Sequence, residues 1–334
     1  METVVLRNFL AQPEALAAED VQKCKKPTFF KDCFGEETAR INNITYVRKE
    51  EKMFKILSMK HLNEAIFEMV VEAPMVARSC QPGQFIIVRS DEEGERIPLT
   101  ICDYDREKGS VTIVVQIIGA GTMKMSKMKE GDFLADFVGP LGHPSDLVTD
   151  DIEEVKKKKI VFIAGGLGTA PVYPQVKWLH EHGISADVII GAKTKDILIM
   201  EEQFKEVTDN LFITTDDGSY GRTGMVTKCL EDLVTKEGKV YDHCVTIGPM
   251  IMMKFVCQLT EKLGIHTVVS MNPIMVDGTG MCGACRCSVD GKTKFACVDG
   301  PEFDGHKVNF DEAMRRSAMY RDLEAKAKEA LLNG

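Results

Sequence analysis

The chain lacks any apolar run of about 18 residues, the minimum a helix needs to cross a bilayer, so no membrane span is expected. It also lacks an excess of positive charge. Its 42 Lys and Arg stand against 51 Asp and Glu, a formal net charge of -9, which argues against non-specific nucleic-acid binding. The first twenty residues, METVVLRNFLAQPEALAAED, carry acidic groups and no long apolar core. They do not read as a secretory signal, and a cytoplasmic location is expected. Evenly paired cysteines are missing too. There are 11 Cys, an odd number, and Cys282, Cys285, Cys287 and Cys297 crowd into one short segment. A secreted disulfide framework would be spread in pairs; a metal or redox site in a reducing compartment fits better. Cys80, Cys102, Cys229, Cys244 and Cys257 lie singly in apolar stretches and read as buried thiols. There is no internal repeat and no low-complexity tract.

What is present is enough apolar sequence, 44% of residues, to build more than one core. Residues 1–50 are polar, with one helix expected over about 13–23. Residues 51–155 contain FKILSMKHL, IFEMVVEAP, QFIIVRS, RIPLTICDY and SVTIVVQIIG, short β-rich runs separated by turns, which suggest a small barrel. Over residues 156–270 the period changes. The continuous apolar strand IVFIAGG is followed by alternating helical and strand-like runs, the pattern of a parallel α/β sheet. Residues 271–310 are short, rich in Gly and Cys, and weakly periodic, so something other than a core is expected to hold them. Residues 311–334 read as one helix, from Glu312 to Leu332.

Three segments carry chemistry. The first gives Asp277-x4-Cys282-x2-Cys285-x11-Cys297. Plant-type [2Fe-2S] sites use C-x4-C-x2-C…C, and here a carboxylate, a harder iron ligand, takes the first position. Gly278, Gly280 and Gly283 let the backbone wrap closely and aim N–H groups inward. Cys287 is off the spacing and, if the segment is extended there, is expected to project away from the site. A zinc site recruiting Cys287 or His306, a thioredoxin-like CxxC, and unliganded thiols are the competing readings. The second segment is RIPLT, with Arg96, Pro98, Leu99 and Thr100, joined by QIIGAGT, with Gln116, Ile117, Gly119, Gly121 and Thr122. A flavin needs a cation for its phosphates and a small donor near N5, and the glycines can present amides to phosphate. Taken singly, each is as easily an exposed strand face or a plain turn. The third is GGLGTAP after a buried strand, with Gly166, Gly168, Thr169 and Ala170. It permits close approach of a pyrophosphate to a helix N-terminus, although it meets the G-x-G-x-x-G pattern only in part. Asp216 and Asp217, then Gly248, Pro249 and Met250, follow later strands at the same sheet edge.

RIPLT, GGLGTAP, IGP and the Asp-Cys-Cys-Cys spacing, in that order over about residues 52–310, resemble the ferredoxin-NADP reductase superfamily. Within it, the chain is similar to the electron-transfer subunits of dihydroorotate dehydrogenases. It is more similar still to the small subunits of NADH-dependent reduced ferredoxin:NADP oxidoreductases, also described as sulfide dehydrogenases. The resemblance implies FAD, one [2Fe-2S] cluster and NAD(H), with NADP(H) left open because Lys193 and Lys195 follow a strand where an acidic residue would read the ribose. It implies that Arg96 holds the FAD phosphates, Thr100 faces the flavin N5, and Gly121 and Thr122 bind the pyrophosphate. Gly166, Gly168 and Thr169 would contact the nicotinamide nucleotide, with Gly248 and Pro249 opposite. Asp277, Cys282, Cys285 and Cys297 would hold the cluster. No side chain is expected to act as a catalytic acid or base. The implied partner is a large flavoprotein or iron–sulfur subunit, through which ferredoxin or another carrier is reached and in which bifurcation occurs. Asp at position 277 favours the ferredoxin:NADP type, since the dihydroorotate enzymes have Cys there. A non-catalytic zinc-binding scaffold is the reading from another class.

The N-terminal stretch departs from that family. VQKCKKPTFFKDCF is similar to an iron–sulfur motif, C-x2-C-K-x-P-x-C-x3-C-P, of glutamate synthase small-subunit relatives. It keeps Cys24 and Cys33, while Val21, Phe29 and Phe34 replace two Cys and the Pro. Two thiolates do not hold a [4Fe-4S] cluster, so a degenerate docking segment or a tail with chance spacing is expected.

Overall fold

Period-two patterning in residues 54–141 builds an antiparallel sheet that curls on itself. The strands are β1 (Phe54–Asn63), β2 (Ile66–Glu72), β3 (Phe85–Arg89), β4 (Ile97–Asp105), β5 (Ser110–Gln116), β6 (Phe133–Leu134) and β7 (Asp136–Leu141). They lie in the order β6-β1-β2-β5-β4-β3-β7, all antiparallel. Phe67, Met69 and Val71 on β2 and Val111, Ile113 and Val115 on β5 alternate inward and are fully buried. Two short helices interrupt the strands, α1 (Pro74–Ser79) and α2 (Ala120–Met125). The computed structural model describes residues 54–333. The helix expected over 13–23 and the Cys24 and Cys33 segment lie outside the described residues.

The next stretch is α/β. Helices α3 (Asp146–Thr149) and α4 (Ile152–Val155) precede β8 (Ile160–Gly165). Then follow α5 (Thr169–Glu181), β9 (Ala186–Ala192), α6 (Glu201–Val207), β10 (Asn210–Thr215), β11 (Arg222–Thr223) and α7 (Val226–Thr235). Next come β12 (His243–Ile247), α8 (Met250–Leu263) and β13 (His266–Ser270). β8 is buried along its whole length because helices cover both faces of a parallel sheet. Burial of Ile160, Val161, Phe162 and Ile163 contributes about 1.5–3 kcal/mol each.

The Cys-rich stretch is better packed than its composition suggests. Its hairpin, β14 (Arg286–Val289) with β15 (Lys292–Phe295), is followed by β16 (Glu302–Asp304), which pairs antiparallel with β13 and completes the sheet order β11-β10-β9-β8-β12-β13-β16. Phe85 and Ile87 of the barrel, Met253 of α8, and Met271, Phe303 and Phe310 form one buried cluster with Cys285 and Cys297. The expectation of a coreless segment therefore fails: its core is borrowed from both neighbours. The single C-terminal helix also fails. Two helices form, α9 (Phe310–Ser317) and α10 (Arg321–Asn333). Asn309 caps the first through the Glu312 amide, and Arg316 at its end donates to the Ala284 carbonyl. α10 then turns to contact α2.

One buried network joins three of these parts. Glu302 on β16 accepts a hydrogen bond from Gln175 of α5 at 2.6 Å, and Gln175 accepts another from Ser145 at 3.1 Å. Burial pushes the Glu302 carboxyl up from 4.5 to about 7. The folded chain thus binds this proton more tightly than the unfolded chain. The stability it gives is full below pH 4.5 and is lost as pH rises through 7. Glu302→Gln keeps an acceptor without the charge. It is expected to stabilise the protein by about 1–2 kcal/mol at pH 8, a few degrees in Tm, and by little at pH 5. Melting curves at both pH values check this; parallel pH dependence in variant and wild type would count against it.

Candidate functional site

The α/β sheet has one point where its strand order reverses. From β8 the chain moves outward to β9 and β10, and it later returns to β12 on the other side of β8, pairing Ile247 with Ala164. Ligands bind at the carboxyl ends of strands flanking such a point. The turn Gly166–Gly168 leaves β8 there, and Gly166 has a φ of +54° that favours glycine. A Cβ on Gly168 would lie 2.1 Å from the Ile247 carbonyl oxygen, and one on Gly165 would lie 2.3 Å from Met252 Sδ. Here backbone packs on backbone. The N-termini of α5 and α8 open at this edge, neither with an acidic residue in its first turn. Their free amides and positive dipole ends suit a phosphate.

A cavity of about 990 Å³ lies in front of this edge. Pro98, Leu99 and Thr100 of β4 and Gln116 of β5 line it from the barrel. Gly166, Gly168, Ala170, Asp216, Gly248 and Pro249 line it from the α/β side. The sequence singled out all ten. It missed apolar wall residues that no polar motif marks, among them Phe85, Met252, Phe255, Met271, Met275 and Pro301. The last three come from the segment between β13 and β16, so three parts of the chain share one cavity. Lys193 and Asp216 are the two charged residues on its wall. The room and the apolar walls fit planar rings, and backbone amides at two helix N-termini are the chief donors for phosphates. The residues present fit a flavin and a nicotinamide nucleotide.

Other residues singled out in the sequence do not line the cavity: Arg96, Ile117, Gly119, Gly121, Thr122, Thr169, Asp217 and Met250. Most have visible structural work. Thr122 Oγ1 accepts from the Ile118 and Gly119 amides at 2.9 and 3.1 Å, closing the start of α2. The Glu95 carboxylate lies against Gly121. Thr169 donates to the Gly166 carbonyl, and Asp217 accepts from the Ser219 amide and hydroxyl. Met250 Sδ accepts from Ser317.

In the Cys-rich loop, Cys285 and Cys297 bring their Sγ atoms to 3.2 Å, both buried and both free thiols. Burial and the neighbouring Cys285 push the Cys297 thiol up to about 12. A second pair lies nearby. The Asp277 carboxylate accepts from the Thr279 amide and hydroxyl and from the Cys282 amide, the last at 2.6 Å. The Thr279 amide, then the Cys282 thiol and amide, hold it down to about 2. Among the described residues no group of three or more His, Cys, Asp or Glu converges as a mononuclear metal site requires. A [2Fe-2S] cluster instead asks for two protein donors on each of two irons. The pairs Cys285 with Cys297 and Asp277 with Cys282 fit that demand. Cys287, on β14, is buried, as Cys285 in the turn before it is, with the exposed Arg286 between them, and it belongs to neither pair.

Comparison with known proteins gives the family. Residues 272–309 match the family model of the iron-sulfur cluster binding domain of dihydroorotate dehydrogenase B. An uncharacterised protein of Clostridium beijerinckii, named for the adh 3′ region, is 62% identical over 83% of this chain and 93% of its own length. The dihydroorotate dehydrogenase B (NAD(+)) electron transfer subunit homolog of Thermotoga maritima is 44% identical over 83% of this chain and 95% of its own length. Among solved structures, a chain of NADH-dependent reduced ferredoxin-NADP oxidoreductase, studied for flavin-based electron bifurcation, superposes with a TM-score of 0.75. It is 42% identical and covers 84% of this chain and 98% of that one. No helix among the described residues is long and apolar enough to cross a membrane.

Proposed function

Because the chain belongs to the family of dihydroorotate dehydrogenase B electron transfer subunits and their homologues, we propose that it is the electron-transfer subunit of a flavin-based oxidoreductase of the ferredoxin:NADP type. One observation carries the reading: a single cavity is walled by the barrel, by the sheet's switch point and by the segment that bears the cluster donors. FAD takes two electrons as a hydride and gives them up singly, and a [2Fe-2S] cluster carries them one at a time. The chain's own residues bind, orient and exclude water. Thr100 and its neighbours on β4 would face a bound flavin ring, and Phe85, Leu99 and Met271, on the same cavity wall, would exclude water from it. Gly166, Gly168 and the N-termini of α5 and α8 take the nucleotide's phosphates. Close backbone contact at Gly168 holds the turn after β8 against the end of β12, so the two helix N-termini open side by side. Asp277, Cys282, Cys285 and Cys297 hold the cluster.

Asp277 favours the ferredoxin:NADP type over the dihydroorotate role, and NAD(H) is preferred to NADP(H) on the same resemblance. The partner is a large flavoprotein or iron–sulfur subunit, in which bifurcation would take place, with ferredoxin or another carrier reached through it. The location is cytoplasmic.

The test is spectroscopic. The purified chain with its co-purifying subunit is expected to show flavin absorption with a cluster shoulder, and an EPR signal after reduction with NADH. A colourless protein removes the proposal. Asp277→Ala is expected to lose or strongly alter that EPR signal; an unchanged signal places the fourth ligand elsewhere.

A further inference from the structure

Arg96 sits half-buried at the head of β4, immediately before the strand whose Pro98, Leu99 and Thr100 face the cavity. Its guanidinium reaches across the chain. Nε donates to the Val276 carbonyl at 2.9 Å, and Nη2 to the Asp277 carbonyl at 3.3 Å. The loop it grips has little else to hold its backbone. Among the described residues, positions 272–282 make no hydrogen bond to other backbone. Three glycines in this loop take positive φ, +78° at Gly278, +87° at Gly280 and +65° at Gly283, and Met281 is 89% exposed. Side chains do the anchoring: Arg96 holds two carbonyls, and Asp277 holds the Thr279 and Cys282 amides. The loop also lies directly on the barrel at Gly278, where a Cβ would be 2.9 Å from Leu141 and 3.0 Å from Ile87.

We propose that Arg96 is a positioning residue for the cluster loop, holding Asp277 and Cys282 at a set distance from the flavin-bearing strand β4. The inference rests on the functional reading above and deepens it. One arginine would then register the flavin site and the cluster donors against each other. A guanidinium suits this task because its planar fork serves two acceptors at once, which a lysine ammonium on a flexible stem does not. The role is added to any contact with the flavin phosphates, and the two can be separated.

The experiment compares wild type, Arg96→Lys, Arg96→Ala and Gly278→Ala, together with wild type stripped of flavin, all as the full chain with its partner subunit. The readouts are flavin content, the cluster's EPR spectrum, its midpoint potential, and the rate of flavin-to-cluster electron transfer by stopped flow. Arg96→Lys is expected to alter the EPR spectrum and potential and to slow the transfer severalfold. Gly278→Ala, which disturbs the same loop from the barrel side, is expected to do likewise with flavin content unchanged. Arg96→Ala should alter the cluster more than flavin removal alone does. If Arg96→Lys leaves the cluster spectrum and potential as in wild type, or Arg96→Ala matches flavin-stripped wild type, the arginine serves the flavin alone and the proposal is overturned. A wild type with neither flavin nor cluster overturns the functional reading itself, and this inference with it.

Discussion

Gly168→Ala is expected to cost at least about a hundredfold in NAD(H) affinity and to lower Tm by roughly 5–10 °C. The added Cβ would stand 2.1 Å from the Ile247 carbonyl oxygen, 2.6 Å from its carbon and 2.9 Å from Gly248 Cα. All three are backbone atoms, so no side chain can swing aside. Relief requires the turn after β8 to part from the end of β12, where Ile247 pairs with Ala164. The φ of Gly168 is an ordinary -58°, so the loss is one of packing and not of backbone strain. The N-termini of α5 and α8 would shift with the turn, and the amides that face the cavity would no longer converge on one phosphate. Gly166→Ala makes the contrast: its Cβ meets nothing within 4 Å, but its φ of +54° costs about 1–2 kcal/mol. Flavin content should survive Gly168→Ala, because the barrel core of Ile56, Phe67, Met69 and Ile113 is separate. NADH titration and melting curves check both variants; wild-type affinity in Gly168→Ala would show that the contact is not what sets the nucleotide site.

The barrel, the α/β sheet and the switch-point glycines were legible because each rests on a local signal. Alternation along Phe67, Met69 and Val71 needs only the strand's own period. GGLGTAP needs only that a strand end, a helix begin and small residues lie between. What the sequence hid depends on residues far apart. Phe85 and Ile87 look like any buried strand, yet they serve the cluster segment's core and not the barrel's. Nothing in the sequence marks Glu302, whose contact depends on β16 pairing with β13 and reaching Gln175, 127 positions away. Arg96 reads as a phosphate ligand; its contacts with Val276 and Asp277 join positions that no local pattern links. Spacing marks Cys287 as extra to the donor set, but the spacing gives no hint that its thiol is buried.

Cys285→Ala or Cys297→Ala is expected to reduce iron and acid-labile sulfide to near zero, bleach the cluster's absorption and abolish its EPR signal. The two thiols lie 3.2 Å apart in an apolar pocket formed with Met271, Ala296 and Phe303. Burial together with Cys285 pushes the Cys297 thiol up to about 12. Cluster assembly must expel that proton, and iron bound to the sulfur is what makes its loss favourable. One sulfur leaves an iron half-held, which makes the effect all-or-none and not graded. The fold around the pair should persist. β16 stays paired with β13, and Phe303 and Phe310 stay packed on Met253 and Val269, so NAD(H) binding is expected to remain within about twofold and Tm to fall by only a few degrees. Cys287→Ala is the discriminating control. Cys287 has its own thiol pushed up to about 11 by burial, but it belongs to neither donor pair. It should keep its iron. Loss of iron in Cys287→Ala with retention in Cys297→Ala would replace the ligand set, whereas loss in Cys285→Ala and Cys297→Ala with retention in Cys287→Ala keeps these two thiols in the ligand set and Cys287 out of it.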